Sequence, residues 1–147
     1  MKEQLKLSNQ ICFPFYAISR KITKIYYPML KDIDLTYPQY LVMMILWEKD
    51  NILIKDICSK LFLDTNTVSP LLDKLLEKGL ISKHKTYNNA KEVRVILTNK
   101  WSGLSLQASN IPNNLLNEFD FDSDYLKELH SNLWKLLDII DSKSNKN

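Results

Sequence analysis

Residues 54–97, IKDICSKLFLDTNTVSPLLDKLLEKGLISKHKTYNNAKEVRVIL, decide the fold. Ile54, Ile57 and Leu61 mark the apolar face of a first helix, and Phe62-Leu63-Asp64 supplies a tight turn. Asp64 or Thr65 can cap a second helix, whose apolar positions are Val68, Leu71, Leu72, Leu75 and Leu76. Gly79 is well placed as the left-handed residue just past its end. Leu80 to Lys85, a polar turn Tyr87-Asn88-Asn89-Ala90 and the alternating Val93, Val95 and Leu97 then read as a β-hairpin. Two helices joined by a short turn and followed by a hairpin make a winged helix-turn-helix. The expected fold is mainly α with a small β-hairpin wing.

The flanks are helical. Ile11, Phe15, Ile18, Ile22, Ile25 and Met29 form a stripe at helical spacing, and Cys12, Tyr16, Ser19, Thr23 and Tyr26 form a second one beside it. A helix from about Ser8 to Leu30 with two useful faces exceeds what one small core requires, and it reads either as a buried core helix or as one that also packs on a partner subunit. Leu35-Thr36-Tyr37-Pro38 restarts the chain, with Pro38 suited to a first helical turn, and a helix runs on through Trp47. Beyond the hairpin, Thr98 is expected to cap another helix carrying Leu104, Ala108, Ile111, Leu115 and Phe119, which Pro112 should break or kink. A last helix begins at Asp122 or Ser123 and carries Leu126, Leu129, Leu133, Leu136, Leu137 and Ile140. The organisation is one domain: a winged helix-turn-helix at 37–98, flanking helical segments at 8–34 and 99–142, and a frayed polar tail at 143–147.

Composition removes most other classes. The 147 residues include only 2 Gly, Gly79 and Gly103, so neither a GxGxxG nor a GxxxxGK[ST] nucleotide loop is possible. Cys12 and Cys58 match no zinc spacing, and His84 and His130 are too few for a His-built metal site or a Ser-His-Asp triad. No metal, no cofactor and no enzyme activity are expected. No apolar run reaches the ~18 residues of a membrane span. The start, Met1 to Lys6, leads into polar residues rather than a signal peptide, so a cytoplasmic protein with reduced thiols is expected.

The net charge is only +3, but it is unevenly placed. Lys83, Lys85, Lys91, Arg94 and Lys100 crowd 81–100 against the single acid Glu92, whereas Glu118, Asp120, Asp122, Asp124 and Glu128 are relieved only by Lys127. The second helix starts with the small polar residues Thr65, Asn66, Thr67 and Ser69, which can reach base edges when its N-terminal end enters a major groove. Lys74, Lys83, Lys85, Lys91 and Arg94 are the candidate phosphate and minor-groove contacts. The expected partner is double-stranded DNA. Asp73 would bring a negative charge close to the phosphates.

Asn9-Gln10-Ile11-Cys12-Phe13, Tyr26, Leu35-Thr36-Tyr37-Pro38-Gln39-Tyr40-Leu41, Leu63-Asp64-Thr65, Ser69-Pro70-Leu71-Leu72 and Gly79-Leu80-Ile81 together resemble the MarR family. Within it they are most similar to the organic-hydroperoxide-sensing OhrR branch and to regulators of the SarZ and MgrA type. The likeness runs from about Ser8 to Ile140. It implies a homodimeric winged-helix repressor on a pseudo-palindromic operator, with first and last helices interlocked between subunits. It also implies that Cys12 is a reactive cysteine whose oxidation by organic hydroperoxide weakens operator binding, with Tyr26 and Tyr37 bonding the thiol and Tyr16 as a further pocket tyrosine. The sequence departs from the family at the wing, where Asn89-Ala90-Lys91 stands in place of Asp-x-Arg. Lys91 keeps the charge but loses the planar fork, which implies weaker or strongly salt-dependent affinity.

Geometry constrains the cysteine. Cys12 and Tyr26 are 14 residues apart, roughly 21 Å along one straight helix. They can meet only between subunits unless the helix breaks. No basic residue lies within one turn of Cys12, and Pro14 costs ~3 kcal/mol inside a helix. The regular helix is therefore expected to begin near Cys12, aiming unpaired N–H groups at the sulfur and favouring its nucleophilic thiolate. Cys58, beside Ile57 and Leu61, reads as a packing residue. With no second cysteine in the C-terminal part, a small cellular thiol would have to cap the sulfenic acid. Three alternatives stay open: release by a small lipophilic ligand, a thiol peroxidase using Cys12, and a dimerising partner that has lost DNA binding.

Overall fold

The computed structural model describes residues 2–119 and 122–144. Two 3₁₀ turns, Glu3–Leu5 and Leu7–Asn9, precede helix α1, Cys12–Lys31. There follow α2, Tyr37–Glu48; β1, Ile52–Leu53; α3, Ile54–Leu61; α4, Thr65–Glu77; β2, Ile81–Thr86; and β3, Asn89–Leu97. Helices α5, Trp101–Ala108, α6, Ile111–Glu118, and α7, Ser123–Ser144, complete the order. The mainly α fold with a small antiparallel sheet is a winged helix-turn-helix. The chain divides into two compact units, 1–111 and 112–147.

The first unit holds the core. Helix α2 is apolar almost all round, and Val42, Met43 and Leu46 are fully buried with Leu30, Ile57, Val68, Leu72, Leu75, Ile81 and Val95. Each such side chain contributes roughly 1.5–3 kcal/mol by leaving water. The entry to α2 is a capping box: Thr36 Oγ1 accepts from Gln39 N at 3.4 Å, and Gln39 Oε1 accepts from Thr36 N at 3.1 Å. Pro38 occupies the first turn, as its fixed φ favours.

Helix α4 is capped by Asp64, whose Oδ1 accepts from Thr67 N at 2.9 Å and from Thr67 Oγ1 at 3.1 Å. Gly79, at φ +69°, closes its C-terminal end as expected. The helix-to-helix turn rests on Phe62 at φ 54°, a left-handed position taken without a glycine.

Several expectations change. Helix α1 begins at Cys12, as Pro14 leads one to expect and later than the Ser8 start that the apolar stripe alone suggests, because the chain before it is tied into 3₁₀ turns by Asn9 Nδ2 and Gln10 Nε2 bonding the Glu3 and Gln4 carbonyls. Pro14 thus falls in the first turn, where its missing N–H costs little. The sheet has three strands in the order β1-β3-β2, because Ile52 and Leu53 pair with Val95 and Arg94. The wing turn is the pair Tyr87-Asn88 rather than the four residues Tyr87 to Ala90. The register steps from Lys85↔Val93 to Thr86↔Asn89, so residues 90–92 bulge from β3.

Thr98 is not the cap of α5. Lys100 takes that position; the Thr98 hydroxyl donates to the Gly79 carbonyl at 2.6 Å and accepts from Lys100 N at 3.4 Å, just ahead of the helix. Between α5 and α6 the helix breaks at 109–110, so Pro112 falls in the first turn of α6, where its missing N–H costs little. In the second unit Asp122 Oδ2 accepts from Asp124 N and Tyr125 N at 3.1 and 3.0 Å, opening α7. That helix continues through Lys143 and Ser144, the start of the expected frayed tail. The rest of the tail, 145–147, and Asp120 of the acidic stretch lie outside the described residues.

Candidate functional site

The exposed start of α4 carries Thr65, Asn66 and Thr67, with Ser69 half-buried one turn on. The four are not equivalent. The Thr67 hydroxyl is committed to Asp64, and Thr65 Oγ1 lies 3.9 Å from Cys58 Sγ in the wall of the core. Asn66 is the exposed amide of the set. Cys58 itself is buried, as its apolar neighbours lead one to expect.

The basic residues divide by what they hold. Lys83 Nζ sits 2.5 Å from Asp73 Oδ1, tying β2 to α4, and its side chain is only 23% exposed. Asp73 therefore faces the solvent on α4 with Lys83 balancing its charge. Lys74 pairs with Glu77 at 2.8 Å along α4. Arg94 Nη1 donates to the Asn51 carbonyl at 2.7 Å, which fixes β3 to the turn before β1. Lys85 and Lys91 stand exposed on the wing. In the bulge, Glu92 accepts from Lys55 Nζ at 2.8 Å, and this bond holds the Lys55 ammonium above its ordinary pKa. Sequence reading passed over Lys55–Glu92, because the bulge that brings them together is a tertiary feature. A cleft of about 260 Å³ lies here, lined by Leu53, Ile54, Lys55, Thr65, Lys91, Glu92 and Val93.

The cysteine and tyrosines lie apart within the chain. Cys12 is the exposed first residue of α1. One turn on, the exposed Tyr16 accepts a 2.7 Å hydrogen bond from Arg20 Nη1, and the guanidinium carbon lies 5.5 Å from the ring centroid. Tyr26 is at the other end of the helix, its ring 4.7 Å from Tyr37 and 6.0 Å from Tyr40. Tyr40 in turn meets Trp47 edge-on at 6.1 Å. Burial, with Tyr37 and Tyr40 beside it, pushes the Tyr26 hydroxyl up to about 12, and burial raises Tyr37 and Tyr40 as well. These hydroxyls keep their protons at any physiological pH and are available as donors. Arg20, Tyr40 and Trp47 were missed in the sequence, although the spacing of Tyr16 and Arg20 was visible.

Among the described residues no group of three or more His, Cys, Asp or Glu could hold a metal. No described helix is long and apolar enough to cross a membrane.

The profile of the MarR family matches residues 35–93, from the capping box to the wing. Over 142 residues the chain is 35% identical to the organic hydroperoxide resistance transcriptional regulator of Bacillus subtilis (strain 168), covering 97% of each protein. The chain belongs to the MarR family. Its similarity to the HTH-type transcriptional regulator MgrA of Staphylococcus aureus is 33% identity over 147 residues, 99% of this chain and all of that one. The structure of reduced AbfR bound to DNA superposes with a TM-score of 0.77 at 27% identity, over 94% of this chain and 96% of that one. This protein is a DNA-binding transcriptional regulator of the MarR family.

Proposed function

We propose that this regulator is a homodimeric repressor that loses its operator when an organic hydroperoxide oxidises Cys12. The observation that carries the reading is the unbroken run of α1 from Cys12 to Lys31. It puts the thiol and the Tyr26–Tyr37 pair at opposite ends of one helix, about 21 Å apart along its axis. They form one site only when the Cys12 end of one copy meets the Tyr26 end of another. The surfaces for such a meeting are present: Ile11 just before α1 and Phe15 and Ile18 on it are exposed, and α7 leaves Leu133, Trp134 and Ile140 exposed. The helices in 8–34 and 99–142 are the dimerisation elements of this reading.

The chemistry follows from the thiolate. Sulfur attacks the distal oxygen of the hydroperoxide, the S–O bond forms as the O–O bond breaks, and the leaving alkoxide takes a proton to become an alcohol. Sulfur is oxidised by two electrons and the peroxide is reduced by two. A small cellular thiol then condenses with the sulfenic acid, giving a mixed disulfide and water. Tyr26 and Tyr37 of the second copy, protonated donors by virtue of their burial, would stabilise the thiolate through hydrogen bonds. The name of the Bacillus subtilis relative supports a hydroperoxide signal.

On DNA, α4 enters the major groove with Thr65, Asn66, Thr67 and Ser69 at its leading end, while Lys74, Lys83, Lys85, Lys91 and Arg94 serve the backbone and minor groove. A two-fold dimer reads a pseudo-palindrome with half-sites ~34–36 Å apart. The apolar floor of the wing cleft, Leu53, Ile54 and Val93, favours a second reading in which a small lipophilic ligand releases DNA. That cleft lies against α3 and β3, not between dimerisation helices.

A heterodimer tests the shared site. One chain carries Cys12→Ser and the other Tyr26→Phe with Tyr37→Phe. If sites are shared, one intact site remains, and half an equivalent of sulfenate per chain forms at the wild-type rate, with release of operator DNA. Slow oxidation equal to that of the tyrosine-variant homodimer contradicts the reading. A ligand response that survives Cys12→Ser would favour the second one.

A further inference from the structure

We infer that Arg20 is a positioning residue for the oxidation of Cys12, acting through Tyr16; the inference rests on the reading of Cys12 just given. Cys12, Tyr16 and Arg20 follow one another at four-residue spacing, so they lie on one face of α1 at successive turns. Arg20 reaches back along that face. Its Nη1 donates to the Tyr16 oxygen at 2.7 Å while its guanidinium carbon stands 5.5 Å from the ring centroid. A planar fork does both at once, whereas an ammonium does not.

Both consequences favour chemistry one turn away. The contact fixes the ring of an otherwise exposed tyrosine, 60% accessible, in one orientation. It also fills a lone pair of the phenol oxygen with a charged donor, leaving the O–H to donate elsewhere. Hydrogen bonds in series polarise one another, so this O–H is a stronger donor than that of a free tyrosine. During oxidation the negative charge moves from the Cys12 sulfur to the alkoxide oxygen as the O–O bond breaks. The Tyr16 hydroxyl donates to that charge and keeps its own proton, and the alkoxide is protonated by water. Arg20 also places its positive charge at Tyr16, one turn closer to the sulfur than its own backbone position.

The test is a double-mutant cycle on the rate of sulfenate formation with cumene hydroperoxide, followed by trapping and intact-mass measurement of the full-length protein. Arg20→Ala and Tyr16→Phe should each slow oxidation about tenfold, the worth of one hydrogen bond to a charged group. The double variant should be no slower than either single one, because both changes remove the same interaction. Arg20→Lys should recover only part of the rate. Thermal unfolding and operator affinity of the reduced variants should stay at wild-type values, which a merely structural role of Arg20 would not predict. An unchanged rate in Arg20→Ala, or a double variant slowed about a hundredfold, overturns the inference while leaving Cys12 as the sensor. A wild-type Cys12 that does not react with one equivalent of hydroperoxide overturns the sensor reading itself, and the role of Arg20 with it.

Discussion

Replacing Lys91 by alanine isolates what the free charge of the wing contributes to DNA binding. Lys55, Lys74 and Lys83 each hold a carboxylate, whereas Lys91 is exposed in the β3 bulge and enters no ion pair among the described residues. Its ammonium is therefore available to replace counterions on the phosphate backbone without first breaking a bond. One neutralised phosphate contributes about 0.9 to the slope of log K against log salt, so the proposed dimer, losing two such lysines, should flatten by about 1.8. Between about 50 and 200 mM salt, the wild type should then lose roughly tenfold more affinity than Lys91→Ala. Fluorescence-anisotropy titrations at several salt concentrations, on operator and scrambled duplexes, measure this directly. The loss should be equal on both sequences, because phosphate contacts carry no base information. An unchanged slope, or a loss confined to the operator, would refute the assignment of Lys91 to the backbone.

The remaining interactions give further outcomes. Lys83→Ala removes a backbone contact and also exposes the Asp73 charge on α4, so it should weaken binding on all sequences, and a second change, Asp73→Asn, should restore only part of the loss; full restoration would show that Lys83 acts through Asp73 alone. Asp64→Ala removes the α4 cap and should cost about 1 kcal/mol in urea unfolding. Asn66→Ala should relax discrimination at one base pair by roughly 1–3 kcal/mol, seen in competition titrations against single-base variants of the operator. The folded state holds the Tyr26 proton up to about pH 12 against an ordinary 10, so the stability it contributes is complete below pH 10 and lost as pH rises from 10 to about 12. Urea midpoints across that range should fall less in Tyr26→Phe than in the wild type.

The helix-turn-helix was legible because its signals are local. Periodic apolar residues, the Asp64 cap and the Gly79 stop act within a few residues of where they stand, and each appears in the structure in its expected place. Strand β1 was not legible, since two residues without their own periodicity become a strand only by pairing with Val95 and Arg94. The wing bulge was hidden for a similar reason: Tyr87 to Ala90 is turn-forming in composition, yet β3 begins at Asn89 and displaces the extra residues into 90–92. Thr98 is a good cap by type, but its Oγ1 accepts from Lys100 N, just ahead of α5, while its hydroxyl donates across the fold to the Gly79 carbonyl. At the DNA-facing surface, the residue types were readable and their commitments were not, as the bond of Lys83 to Asp73 and that of Thr67 to Asp64 illustrate. The tyrosines repeat the lesson. Tyr26, Tyr37 and Tyr40 are separated in sequence and gather because the turn at Asp34, φ 52°, folds α2 back on α1.

The account stands most directly on operator affinity before and after oxidation. Reduced protein is titrated onto the DNA upstream of its own gene, then again after one equivalent of an organic hydroperoxide and a small thiol, with Cys12→Ser measured beside it. Sensing at Cys12 requires tight binding by both reduced proteins and a loss of affinity on oxidation in the wild type alone. Binding that withstands the oxidant, or that falls equally in Cys12→Ser, would contradict it.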